Sequence, residues 1–102
     1  MLRRTHPDEK LRVVSREIVV QNELGLHARP AAEFVRLANS FRAEVMLIKE
    51  GERFSAASML EVLQANLDCG ARATLEARGV DAEEAVTRLE KLLNEFRDRK
   101  DY

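Results

Sequence analysis

Cysteine occurs once in the 102 residues, at Cys69, so no disulfide can close within the chain. A lone thiol suits a reducing compartment. Tryptophan is absent and aromatic residues make up only 5%, too few rings for a platform that stacks single-stranded bases. Neither sign of charge dominates. Seventeen basic and 18 acidic residues leave a formal net charge of −1, and no overall field draws the chain to nucleic acid or an anionic membrane. No apolar run approaches the length of a membrane span. The opening residues, MLRRTHPDEK, lack the apolar core of a signal peptide. These absences point to a cytoplasmic protein. His6, His27 and Cys69 share no ligand spacing, so neither a metal nor another cofactor is expected.

What is present is an ordinary globular balance, 45% hydrophobic and 34% charged, at a length that fits one domain. Residues 1–10 form a polar extension, and residues 11–98 the domain. Residues 99–102 are expected to fray, and His6 to be inert and solvated. The Val- and Ile-rich stretch from Leu11 to Gln21 reads as a strand. Residues 28–40 read as a helix, with Ala31, Phe34, Val35, Ala38 and Phe41 on one apolar face and Glu33, Arg36 and Asn39 opposite. Val45–Ile48, a turn at Gly51 and Arg53–Phe54 make a hairpin. Ser58 and Glu61 form a capping box, so a short helix should run from Met59 to Leu67 and stop at Gly70. ARATLEARG then alternates, with Ala73, Leu75 and Ala77 on one face and Arg72, Thr74, Glu76 and Arg78 on the other. Asp81 and Glu84 form a second capping pair. They open a helix carrying Ala82, Val86, Leu89, Leu93 and Phe96 on one face, and an i,i+4 pair of Glu84 and Arg88 on another. Phe34, Phe41, Phe54 and Phe96 are assigned to the core, and Cys69 to a buried or half-buried position. The order is β-α-β-β-α-β-α, an α+β chain with an open antiparallel sheet covered by helices on one face.

The chemistry concentrates at GLHARP, residues 25–30. His27 directly precedes a helix, whose amino end offers backbone N–H groups and the positive end of the macrodipole. Phosphate binds naturally at such an end. A neutral imidazole there presents a nucleophilic nitrogen, and Arg29 can add a charge-assisted hydrogen bond to phosphoryl oxygens. Pro30 stiffens the first turn, where a missing N–H does no harm. Spacing alone leaves a blander reading open, in which His27 is only a cap or a surface residue. Ser58 likewise has a sufficient structural role as a cap.

GLHARPAAEFV resembles the active-site signature of the HPr family, the histidine-containing phosphocarriers of the bacterial phosphoenolpyruvate-dependent sugar phosphotransferase system. The similarity continues through SAASMLEVLQANLDCGARATLEARGVDAEEAV and spans about residues 12–96. It implies an HPr-like open-faced β-sandwich of four antiparallel strands backed by three helices. It implies that His27 accepts a phosphoryl group through Nδ1 and that Arg29 stabilises it. Enzyme I would be the donor and IIA domains the acceptors. Ser58 falls where many members carry a regulatory serine, the target of an ATP-dependent HPr kinase/phosphorylase, although Ala57 replaces the lysine that often precedes it. The helix after Ser58 is too apolar to hide every side chain. Met59, Leu60, Leu63 and Gln64, with Ala28 and Ala32, are therefore expected to meet partners. Such a carrier turns over nothing alone and is not an enzyme in the ordinary sense. A monomer is expected. The alternatives are a regulatory paralogue, serving a nitrogen-related phosphorelay or Ser58-dependent signalling, and a non-catalytic interaction domain.

Overall fold

The computed structural model describes residues 12–99 and 102. The polar extension, His6 and Leu11 lie outside them. Strand β1 spans Val13–Val19, helix α1 Ala28–Ala38, β2 Glu44–Lys49, β3 Glu52–Ser55, α2 Met59–Gln64, β4 Arg72–Arg78 and α3 Ala82–Arg97. The four strands form one antiparallel sheet in the order β1-β4-β2-β3. The expected order and architecture are both found.

Alternation explains the layering. Along β4, Ala73, Leu75 and Ala77 are buried while their neighbours are not. Leu75 is paired with Leu47 on one side and Arg16 on the other, so the inward face of the central strand runs directly into β2. Phe34 from α1, Leu89 and Phe96 from α3, and Leu47 and Leu75 from the sheet are the largest fully buried side chains. Burying each stabilises the fold by roughly 1.5–3 kcal/mol in transfer terms. Val35, Phe41 and Phe54 are only partly buried and pack on the rim of this core. Arg16 shares the inward face of edge strand β1, but its guanidinium reaches Glu90 at 2.7 Å and Glu83 at 3.7 Å on α3. Its stem therefore covers apolar surface while its charge stays near water.

Several boundaries differ from the sequence reading, each for a local reason. β1 is shorter than Leu11–Gln21, because Val20 leaves the ladder and donates instead to the Ala71 carbonyl at 2.9 Å. Helix α2 stops at Gln64 rather than Leu67. Asn66, with φ +53°, turns the chain just beyond it, and Lys49 Nζ reaches the Ala65 and Asn66 carbonyls at 3.0 and 2.8 Å. Gly70 is thus not the helix stop. It belongs to the turn into β4, where its N–H donates to the Val20 carbonyl at 2.7 Å. Ser58 caps α2 by accepting from the Glu61 N–H at 3.2 Å. The return half of the capping box is missing, because Glu61 Oε1 accepts from the Ser55 N–H at 2.7 Å instead. Cys69 is exposed, not buried. Glu84 and Arg88 do pair on α3, at 3.7 Å.

Asp81 also departs from expectation. It stands at the start of α3 but makes no side-chain cap. Its carboxylate accepts from the Arg42 and Ala43 N–H groups at 2.9 and 2.7 Å, tying α3 to the segment that enters β2. Burial acts to raise its pKa, but the Arg42, Ala43 and Asp81 amides and the Arg42 charge together outweigh it and hold the carboxyl below the ordinary 3.8. A depressed carboxylate contributes stability above its unfolded pKa and loses it as pH falls through the folded value. The stability advantage of the wild type over Asp81→Asn should therefore be full at pH 6 and shrink below pH 3.8. Urea melts across that range measure it, and a pH-independent difference would contradict the assignment.

Candidate functional site

The approach to His27 is built by a tight turn. Gly25 has φ +67°, and its N–H donates to the Asn22 carbonyl at 3.0 Å. A Cβ at this position would lie 2.6 Å from the Leu67 carbonyl oxygen and 2.8 Å from Asp68 Cα, so the close approach demands glycine. Leu26 then anchors the turn. Its side chain is buried and its N–H donates to the Leu67 carbonyl at 2.8 Å. The next residue, His27, is the N-cap of α1, with extended φ −76° and ψ −171°. Its carbonyl receives the Ala31 N–H at 2.9 Å, which starts the helix.

The His27 side chain makes no cap hydrogen bond. The reading in which it serves only as a helix cap therefore loses its physical basis. Its Nε2 is buried with no hydrogen-bond partner, while the residue as a whole is half-exposed. With Nε2 buried, a reaction partner would have to approach the ring at Nδ1. No carboxylate stands in the first turn of α1, so no anion of the helix itself competes for its positive end. Arg29 is exposed on that turn, and Pro30 is buried beneath it. His27 and the exposed Arg29 thus flank the amino end of α1, where an anionic group would meet the dipole and a guanidinium.

Three of the five large exposed apolar residues among those described lie on α2 or in the loop before His27. Leu60 is 66% and Leu63 40% exposed on α2, which packs against α1. Gln64 and Ala28 are exposed; Met59 and Ala32 are half-buried. Sequence reading missed Leu24, 60% exposed in the loop that leads to His27. Its signal was available: an apolar residue in a polar turn, one position before the glycine. Ser58 is half-buried at the start of α2.

Reading from sequence also missed Asn22, Glu33, Arg99 and Tyr102. Asn22 is the one buried polar residue among those described, and its Nδ2 donates to the Gly25 carbonyl at 2.6 Å and to the Tyr102 carbonyl at 3.1 Å. Expected to fray, Tyr102 is instead buried against Phe96, with ring centroids 5.2 Å apart, and against His27, at 6.0 Å and nearly perpendicular. Its phenol donates to the Glu33 carboxylate, which also pairs with Arg99 at 2.8 Å. The phenol hydrogen bond is the main cause holding the Glu33 carboxyl below its ordinary 4.5. Arg99 is accordingly no part of a loose end. Glu33, placed on the outer face of α1 by periodicity, had no local signal of this role.

The chain is thus a four-stranded open-faced sandwich with a histidine at the amino end of its first helix. The comparisons agree in detail. The family profile described as "PTS HPr component phosphorylation site" matches residues 14–95. The HPr-like protein Crh of Bacillus subtilis is 38% identical over 77 residues, 76% of this chain and 91% of Crh. The phosphocarrier protein NPr of Shewanella violacea is 37% identical over 73 residues, 72% of this chain and 80% of NPr. The crystal structure of the phosphocarrier protein HPr from Bacillus anthracis superposes with a TM-score of 0.77 at 34% identity, covering 79% of this chain and 96% of that one. The chain belongs to the HPr family, the phosphocarrier proteins of the phosphotransferase system.

Proposed function

We propose that this chain accepts a phosphoryl group on His27 Nδ1 from phosphoenolpyruvate-charged enzyme I and passes it to IIA domains of sugar transporters. The observation that carries the reading is the imidazole itself, with Nε2 shut in, no cap bond, and a helix amino end beside it. In the step, the Nδ1 lone pair forms a bond to phosphorus. The phosphorus bond to the donor breaks, and its electron pair stays with the donor. This requires the tautomer with its proton on Nε2. Arg29 and the first-turn amides stabilise the oxygens as charge builds. Transfer onward is the same step reversed onto a new acceptor, so the chain is a covalent intermediate shared by its partners. We propose that it works as a monomer in the cytoplasm. No helix among the described residues is long and apolar enough to cross a membrane.

Enzyme I, phosphoenolpyruvate and the purified chain test the reading directly. Acid-labile, alkali-stable phosphate on the chain is the expected result; its absence with competent enzyme I would refute the carrier role.

The likeness to Crh and NPr favours a second reading, that of a regulatory paralogue. The phosphorylated chain, offered sugar-specific and nitrogen-related IIA domains side by side, discriminates between the two by which it discharges to. Ser58 belongs to the same question. A phosphate there would meet the α2 amino end favourably, but would also stand beside Glu61, which lies in the first turn. We expect ATP and an HPr kinase/phosphorylase to label Ser58 alone; mass mapping that finds no phosphate on it would reject this site.

Leu60, Leu63, Met59 and Gln64, with Ala28 and Ala32, form the proposed docking face. Leu60 is so exposed that Leu60→Glu should leave stability within about 0.5 kcal/mol. The same change should weaken enzyme I binding by roughly tenfold, the scale of a modest interface contact. Unchanged transfer kinetics at low carrier concentration would remove Leu60 from the interface.

A further inference from the structure

The ring of Tyr102 touches both groups on which the proposed chemistry depends. It lies 6.0 Å from the His27 ring at 84°, and the Arg29 guanidinium carbon sits 5.3 Å from its centroid. Arg99 faces the same ring at 5.0 Å, and Phe96 packs on it at 5.2 Å. The ring is held from several directions. The Tyr102 carbonyl accepts from the Leu24 N–H at 3.0 Å and from Asn22 Nδ2 at 3.1 Å, while its phenol donates to Glu33. Tyr102 is only 6% exposed.

We infer that Tyr102 is a positioning residue for phosphoryl transfer at His27, a fixed aromatic wedge that sets the imidazole on one side and the Arg29 guanidinium on the other. The inference deepens the carrier reading and rests on it. An imidazole without a cap hydrogen bond is fixed only by what packs on it. Tyr102 is the aromatic neighbour of His27 among the described residues. Its π face attracts a cation, so Arg29 is held at the same ring that packs on the histidine before any phosphate arrives. Groups already oriented do not have to be ordered in the transition state. The buried nitrogen is Nε2, not the proposed reacting nitrogen. Asn22 links the wedge to the turn at Gly25 by donating to both carbonyls. Position of the ring and position of the histidine are thereby set by the same amide.

The test compares Tyr102→Ala, Tyr102→Leu and Tyr102→Phe with the wild type, each as the full chain. Readouts are transfer from phosphoenolpyruvate-charged enzyme I as a function of carrier concentration, and the lifetime of the isolated phosphohistidine. Tyr102→Leu keeps apolar volume but has no π face, and keeps the test valid should Tyr102→Ala fail to fold. For Tyr102→Ala and Tyr102→Leu the maximal rate should fall roughly tenfold with KM within about twofold, and the phosphohistidine lifetime should change several-fold. Tyr102→Phe should stay within about twofold of wild type in every readout, because it retains the face that meets Arg29. Wild-type rates and lifetimes in Tyr102→Leu would overturn the inference. So would faster transfer, which would make the ring an obstacle, or a change confined to KM, which would make it part of the docking face. Failure of the wild-type chain to take any label would instead overturn the carrier reading, and this inference with it.

Discussion

Replacing His27 by alanine is expected to take labelling from phosphoenolpyruvate and enzyme I to background while the chain stays folded. The two halves of that result have separate causes. Labelling is lost because Nδ1 is the proposed nucleophile, and alanine has none. Folding survives because the imidazole contributes little to it. The side chain caps nothing, and its buried Nε2 has no partner. An unsatisfied buried polar atom costs roughly 1–3 kcal/mol, so its removal offsets the packing lost against Tyr102. Thermal melting should move by no more than the equivalent of about 1 kcal/mol. Label that persists on the alanine variant would place the phosphoryl group on another residue. A collapse in stability would show instead that the ring is a structural element and that its geometry says little about chemistry.

Gly25→Ala should produce the largest loss of stability available to a single methyl group near the site. A non-glycine residue at φ +67° costs roughly 1–2 kcal/mol. The added Cβ would also sit 2.6 Å from the Leu67 carbonyl oxygen and 2.8 Å from Asp68 Cα, and both obstacles are backbone. Relieving that overlap stretches the 2.8 Å bond from the Leu26 N–H to the same carbonyl, a loss of about 1 kcal/mol. The sum is about 2–3 kcal/mol, a fall in Tm of roughly 10–20 °C for a domain of this size. Labelling of His27 should slow as well, since the turn that aims it has moved. Gly51→Ala is the control. It carries the same kind of strain, at φ +84°, with no atom within 4 Å of the new Cβ, and should cost only about 1 kcal/mol. Chemical denaturation of the two variants measures the difference, and equal losses would refute the crowding argument.

Periodic signals in the sequence carried most of the fold. The alternation of Ala73, Leu75 and Ala77 and the helical spacing of Val86, Leu89, Leu93 and Phe96 report burial because each element has one inward face, and all seven are buried. At GLHARP the helix start was legible as a short-range pattern, with His27 just before α1, while the chemistry proposed for His27 came from the family resemblance. What failed were bonds to distant residues. Asp81 had the right residue type for capping its own helix, yet its carboxylate goes to Arg42 and Ala43. Glu61 was half of a capping box, yet it turns to Ser55. Glu33 looked solvated because its partners, Arg99 and Tyr102, stand more than sixty residues away. Local spacing says which groups are available to bond; only the folded chain says with whom.

Lys49 carries one further consequence. Its ammonium group spans from β2 to the Ala65 and Asn66 carbonyls that end α2. A helix of six residues is too short to hold its own orientation, and this tether fastens it to the sheet. Leu60 and Leu63 are therefore displayed on a tethered helix, and a partner docking on them as proposed would have little motion left to freeze. If partners dock here as proposed, recognition on this face can be brief and still selective, which suits a carrier that must release each partner in turn.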